Sequence, residues 1–236
     1  MDAKYGNFAV TPRNGKAVEI NSLWYNALKI IEELTKAFEG KEQARKYANL
    51  ANKNKKAFED KFYNRKKKCL YDVIGDEKIR PNQLFSLSLT YPVIEPSSDI
   101  AKEIFNTVTK KLLNKHGLKT LAKGEENYVE IYEGDPFKRD MSYHQGITWP
   151  WLLGIYYDAY KNIISYTKDK EKKKELQSGY KKFIEIVQKT FKKAFYEDGM
   201  IGNISELYDS KTPFLPKGTM AQGWSVAEVF RIMLEK

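Results

Sequence analysis

The sequence predicts an all-α fold in which amphipathic outer helices alternate with more buried inner ones, and three observations carry that prediction. Apolar residues recur at helical spacing through most of the chain. Two further segments are apolar around most of their circumference, as buried helices are. No repeat of fixed period is visible, so the pattern is that of a two-layer ring of helices rather than a solenoid of identical units.

The elements follow in order. Leu23, Ala27, Ile30, Ile31, Leu34 and Phe38 share one face of a helix from about Val18 to Gly40, where the glycine provides a stop. Ala44, Tyr47, Ala48, Ala51, Phe58 and Phe62 mark a second helix. Gln83 to Leu89 is the first of the nearly all-apolar segments. Pro96-Ser97-Ser98-Asp99 supplies a capping residue ahead of Ile100, Ile104, Val108 and Leu112, and Gly117 is expected to end that helix. Lys119 to Tyr143 reads as a long irregular region, a length that in compact domains often serves function. Trp149 to Ile164 is the second all-apolar segment. Leu176, Tyr180, Phe183, Ile184, Val187, Phe191 and Phe195 give the clearest amphipathic helix, and Val226, Val229, Phe230 and Met233 the last. No interdomain linker interrupts the series, so residues 1–236 are read as a single domain.

Composition narrows the function classes. With 42% hydrophobic and 14% aromatic residues, the 236-residue chain has ample material for a core. No stretch is long and apolar enough to span a bilayer. Met1-Asp2-Ala3-Lys4 has no apolar run behind it and is not read as a signal peptide. The single cysteine, Cys69, excludes an internal disulfide and points to a reducing, cytoplasmic setting, so the sequon Asn203-Ile204-Ser205 is taken as chance. The net charge of +10 raises nucleic acid as a partner. However, the lysines are spread over helix faces among glutamates and aspartates, and no Lys/Arg stripe carries the aromatics that base stacking needs, so neither nucleic acid nor membrane is expected. Two histidines without cysteines nearby do not make a metal site, and there is no glycine-rich phosphate loop.

Five segments are unusual for scaffolding: Thr11 to Asn21, Arg80-Pro81-Asn82-Gln83, Tyr143 to Trp151, Ile204 to Asp209, and Ala221-Gln222-Gly223-Trp224-Ser225. Each falls at a helix start or beside one, and in a ring of helix pairs such junctions gather at one end. Together they mix Trp and Tyr with amides, Arg, His and carboxylates. That mixture suits a sugar, whose C–H faces pack on aromatic rings and whose hydroxyls need fixed donors and acceptors. Glycosidic hydrolysis further needs two carboxyl groups in different protonation states.

The same segments carry a family resemblance. VEINSLWYNAL (18–28), RPNQLFSLSL (80–89), YHQGITWPWLLG (143–154), ISELYD (204–209) and AQGWSVAEVFR (221–231) together resemble, in order and along essentially the whole chain, the C-terminal glucosidase domain of glycogen debranching enzymes. The resemblance implies an (α/α)6 toroid, here partial, with the N-terminal part of the ring absent. It implies hydrolysis of α-1,6-glucosidic branch linkages by an inverting mechanism on a glycogen-type α-glucan, with no metal or organic cofactor. By position in the motifs, Asp2 would be the general acid and Glu206 the general base. Substrate-binding roles would fall on Glu19, Trp24, Arg80, Asn82, Gln83, His144, Gln145, Trp149 and Trp224.

Within those motifs the residues leave choices open. Glu19 is either a first-turn carboxylate favoured by the helix dipole or a hydroxyl-binding group. Arg80 either pairs with a carboxylate structurally or orients the base. Trp149 and Trp151 flank Pro150, so one is expected in the pocket and the other in the core. Lys217-Gly218-Thr219-Met220-Ala221-Gln222-Gly223-Trp224-Ser225 departs from the family's Arg-Gly-Cys-Ala-Gln-Ala-Trp-Ser, lacking its Cys and placing Gly223 where a small Ala is usual. Two alternatives stand beside hydrolysis: a non-catalytic fragment that binds glucan or associates through the surface its absent half would leave open, and a helical scaffold for protein partners.

Overall fold

A computed structural model describes residues 3–235 of the chain. A small hairpin comes first, β1 (Lys4–Tyr5) with β2 (Phe8–Ala9), followed by helices α1 (Val18–Phe38) and α2 (Lys41–Phe62). A second hairpin joins β3 (Tyr63–Asn64) to β4 (Cys69–Leu70). The Arg80 motif then winds into a 3-10 turn, Pro81–Leu84, that runs directly into α3 (Phe85–Ser88). Pro81 opens this turn where a missing N–H costs nothing. Helix α4 (Asp99–Lys111) starts as expected, with the Ser98 hydroxyl accepting from the Ala101 N–H at 3.1 Å. Strands β5 (Leu113–Asn114) and β6 (Gly117–Lys119), helix α5 (Pro136–Tyr143) and strand β7 (Thr148–Trp149) lead to α6 (Leu152–Tyr166). The long α7 (Lys170–Glu197), strands β8 (Leu207–Tyr208) and β9 (Pro216–Lys217), and α8 (Gly223–Met233) complete the order.

Helices α1, α3, α6 and α8 pack side by side, and α2, α4 and α7 lie outside them. The inner pair α3 and α6 buries Leu84, Leu87, Leu152, Leu153, Tyr156 and Ile163, as their all-round apolarity predicts. On the outer layer, α7 sends in Phe183, Ile184, Val187 and Phe191, while Phe195 remains exposed. The mostly helical architecture is that of a six-hairpin glycosidase-like fold.

Two expectations are corrected. First, α1 turns a different face inward. Val18, Ser22, Tyr25, Leu28 and Thr35 are buried against α2 and the 3-10 turn, whereas Leu23, Ile30, Ile31, Leu34 and Phe38 are exposed, Phe38 by 85%. The helix has two apolar faces, and the more hydrophobic one has no neighbour among the described residues. Second, Gly117 does not end a helix. Helix α4 stops at Lys111, and Gly117 lies in β6, where the Trp149 carbonyl fills the space a Cβ would occupy. Beside the helices, an antiparallel sheet of very short strands has the order β5-β6-β7-β8-β9, with Leu118 opposite Trp149, Thr148 opposite Tyr208, and Leu207 opposite Lys217. Strands of two or three residues are too short to leave an alternating pattern in the sequence.

Candidate active site

Glu206 immediately precedes β8, and the sheet fixes its surroundings. Its N–H donates to the Thr219 carbonyl at 2.8 Å, and the Thr219 N–H donates back to Glu206 Oε2 at 2.9 Å. Gly218, between β9 and Thr219, sits at φ +71°, where an added Cβ would collide with Glu206 Oε2. The Tyr143 hydroxyl, at the end of α5, donates to Oε1, and Gln222 Nε2 approaches the same oxygen at 3.4 Å. Burial, followed by the Glu206 carboxylate, holds the Tyr143 phenol well above the ordinary tyrosine range, so it remains a donor. Glu206 is 8% exposed, and no described Lys, Arg or His forms an ion pair with it.

Aromatic rings stand around this carboxylate. Trp149, in β7, donates from Nε1 to the Tyr143 carbonyl at 3.1 Å and meets the Tyr143 ring edge-on at 4.8 Å. The rings of Tyr132 and His144 lie 5.8 and 4.8 Å from Tyr143. Trp224, at the start of α8, is half-exposed; it stacks on Trp151 at 5.1 Å and meets Trp149 edge-on at 6.2 Å. Of the two tryptophans expected to divide between core and pocket, Trp149 is 3% exposed in the core and Trp151 is half-buried. Helix α6 begins only at Leu152, so the two are not on opposite faces of one helix, and both reach Trp224.

A second carboxylate cluster lies behind Arg80. Glu19 is engaged by Arg13 through two parallel bonds of 2.6 Å, and Arg13 Nε donates to Asp72 Oδ2 at 2.6 Å. Burial lowers the Arg13 pKa, but Glu19 and Asp72 together hold it above the ordinary arginine range. Burial pushes the Asp72 carboxyl up, and Arg13 and Arg80 oppose that shift. Asn82 Nδ2 donates to Asp72 Oδ1 at 3.2 Å. Arg80, itself 4% exposed, donates to the carbonyls of Thr120 and His144 at 3.1 and 2.6 Å and to Gln145 Oε1 at 2.8 Å. Burial lowers its pKa. Gln83 is spent on backbone: it accepts from Leu70 N–H at 3.0 Å and donates to the Arg80 carbonyl at 2.8 Å.

The structure thus joins Glu19, Asn82, Arg80, Gln145, His144, Trp149, Trp224 and Glu206 into one chain of contacts, with Arg80 linking its two halves. Gln83 stands behind Arg80, 1% exposed, rather than at a surface that meets a ligand. Trp24 is not brought in. It lies 55% exposed on the open face of α1, and no ring contact joins it to the other tryptophans among the described residues. Asp2 lies outside the described residues.

Four participants carried no assigned role in the sequence reading: Arg13, Asp72, Tyr143 and Thr219. Arg13 and Tyr143 stand inside motifs already singled out. Asp72 follows the apolar Cys69-Leu70-Tyr71, and an acid at the end of a buried run is a signal for a paired carboxylate. Thr219 acts through its backbone, which leaves no side-chain signal. Among the described residues no group of three or more His, Cys, Asp or Glu side chains could hold a metal.

Residues 1–231 match the family model described as amylo-alpha-1,6-glucosidase. No curated protein matches the chain. Among solved structures, one named sialidase superposes with a TM-score of 0.69 at 16% identity, covering 95% of this chain and 20% of that one. An uncharacterized conserved protein from Thermus thermophilus superposes with a TM-score of 0.55 at 11% identity, covering 92% of this chain and 47% of that one. The chain therefore spans about a fifth and just under half of these two structures' lengths.

Proposed function

The chain belongs to the amylo-alpha-1,6-glucosidase family, and from that premise we propose that it is a glycoside hydrolase domain acting on α-1,6-linked glucose at branch points of a glycogen-type glucan, with Glu206 as general base. The observation that supports this most is the environment of Glu206. It is a nearly buried carboxylate with three neutral donors and no described cationic partner, linked through Tyr143 and Trp149 to a half-exposed Trp224 on which a pyranose face can stack. Asp72 and Glu19 are poor candidates for the same task, because Arg13 locks both.

In this reading Glu206 takes a proton from water as that water attacks the anomeric carbon. A carboxylic acid on the opposite face of the ring protonates the departing oxygen, and the configuration inverts. The family motif gives the acid's role to Asp2. Arg80 would position His144 and Gln145 toward sugar hydroxyls, Asn82 would hold Asp72, and Gln83 would hold the Arg80 loop. With glycogen as substrate, the reaction would take place in the cytoplasm. No helix among the described residues is long and apolar enough to cross a membrane. The test is hydrolysis of a glucan bearing single α-1,6-linked glucose stubs. The Glu206→Gln variant should lose activity by about a hundredfold to ten-thousandfold, and a variant with full activity would remove Glu206 from the mechanism.

The open face of α1 favours a second reading, in which further helices must cover it before the site works. Ile20, Leu23, Trp24, Ile30, Leu34 and Phe38 form an exposed apolar stripe, wider than a free surface helix normally shows. A chain that binds glucan but releases glucose only when N-terminally extended would support this reading. Equal activity with and without the extension would refute it.

A further inference from the structure

A cavity of about 470 Å³ opens between the β5–β6 hairpin, α7 and the loop leading into β9. That volume is in the range of small-molecule sites, about 300–1,000 Å³. Lys115, Lys189 and Lys193 line it, and Asp198 supplies the one carboxylate. Lys115 lies over the Phe214 ring at 5.1 Å, and Lys193 reaches Glu197 only at 3.8 Å, with both side chains well exposed. Lys189 forms no ion pair among the described residues.

His116 forms part of the same wall and is 4% exposed. Its ring stacks on Tyr208 at 4.3 Å and 10° and lies 5.6 Å from Phe214. Packing alone would be served as well by Phe or Tyr. What the imidazole adds over a plain ring is its nitrogens, and Nδ1 is fully buried with no hydrogen-bond partner among the described residues. Leaving such a group unsatisfied costs about 1–3 kcal/mol. A buried nitrogen without a partner, in a cavity carrying three cations against one anion, is the pattern of a site that an anionic ligand completes.

We propose that this cavity binds a small phosphoryl-bearing molecule, with Lys115, Lys189 and Lys193 holding the phosphoryl oxygens and the His116 imidazole hydrogen-bonding the ligand. Phe214 and Pro216 supply an apolar wall for the rest of it. The charged groups facing His116 are Lys115 from its own hairpin, Lys189 and Lys193 from α7, and Asp198 just beyond α7. Burial first, then Lys115 and Lys193, hold the imidazole down to about 3, so it is neutral at pH 7. A bound dianion would oppose the lysines and raise that value. The site does not depend on the hydrolase reading, because none of these residues belongs to the Glu206 cluster.

The chain has two histidines, so imidazole NMR signals report on this site almost alone, and a His116→Phe variant assigns them. The probes are inorganic phosphate, glucose 6-phosphate and, as the neutral control, glucose. The expected result is a saturable shift of the His116 resonances with both phosphates and none with glucose. The combined Lys189→Ala and Lys193→Ala substitution, on exposed positions that leave the fold intact, should weaken that binding by at least about tenfold. A shift that does not saturate, one confined to His144, or one undiminished in the lysine variant would overturn the proposal.

Discussion

Replacing Gly218 by Ala tests how the base is held. The residue lies at φ +71°, so any side chain there carries the left-handed penalty of about 1–2 kcal/mol. The new Cβ would also stand 3.1 Å from both Glu206 Cβ and Leu207 Cγ and well inside contact with Glu206 Oε2. The carboxylate must therefore move away from the Thr219 N–H that it now accepts at 2.9 Å. A hydrogen bond to a charged group contributes about 1.5–3 kcal/mol, so the substitution should cost about 2.5–5 kcal/mol in all. Urea unfolding measures this directly, and a double-mutant cycle separates the two parts. In a Glu206→Ala background the carboxylate part is gone while the backbone penalty and the 3.1 Å approaches to the Cβ of residue 206 and to Leu207 remain, so the cost of Gly218→Ala should fall by about 1.5–3 kcal/mol. Costs equal in the two backgrounds to within about 0.5 kcal/mol would refute the idea that Gly218 exists to admit this carboxylate.

Other consequences can be checked with simple variants. Trp224→Ala should raise KM for a branched glucan several-fold while leaving thermal stability almost unchanged, because the ring is half-exposed; a large loss of stability would mean that it is core instead. Arg13→Met leaves Asp72 and Glu19 without their shared cation and should cost about 3–5 kcal/mol in denaturant unfolding; a neutral effect would show that the cluster is solvated. His116 has a folded pKa of about 3 against an ordinary value of 6.5, so the unfolded chain binds the extra proton between those limits. Stability should therefore fall as pH drops from about 6.5 toward 3, by up to about 1.4 kcal/mol per pH unit from this residue. His116→Phe should flatten the slope by that amount, and identical slopes would contradict the burial argument.

The sequence made the helices legible because periodicity reports which face is buried, and in α4, α6 and α7 that face meets the core. Helix α1 shows the limit of that signal. Its strongest stripe identified an apolar face correctly, but periodicity cannot say whether the partner of that face is present, and Tyr25 and Leu28 pack instead. The site was legible where chemistry sits in side chains at motif positions, as with Glu206, Arg80 and Trp224. It was illegible where backbone does the work. Thr219 N–H and the five short strands leave no pattern, and Asp72 is placed by a bridge between Ala17 and Val73 that no local rule foresees. Gln83 shows the converse, a motif residue whose amide is consumed in holding Leu70 and Arg80.

The claim that Glu206 activates water for inverting hydrolysis is tested most directly by following the anomeric proton of the first glucose released from an α-1,6-linked stub, in the native chain and in Glu206→Gln. The account predicts that β-glucose appears first and that the variant is slower by at least about a hundredfold. Release of α-glucose, or an undiminished rate in the variant, would contradict it.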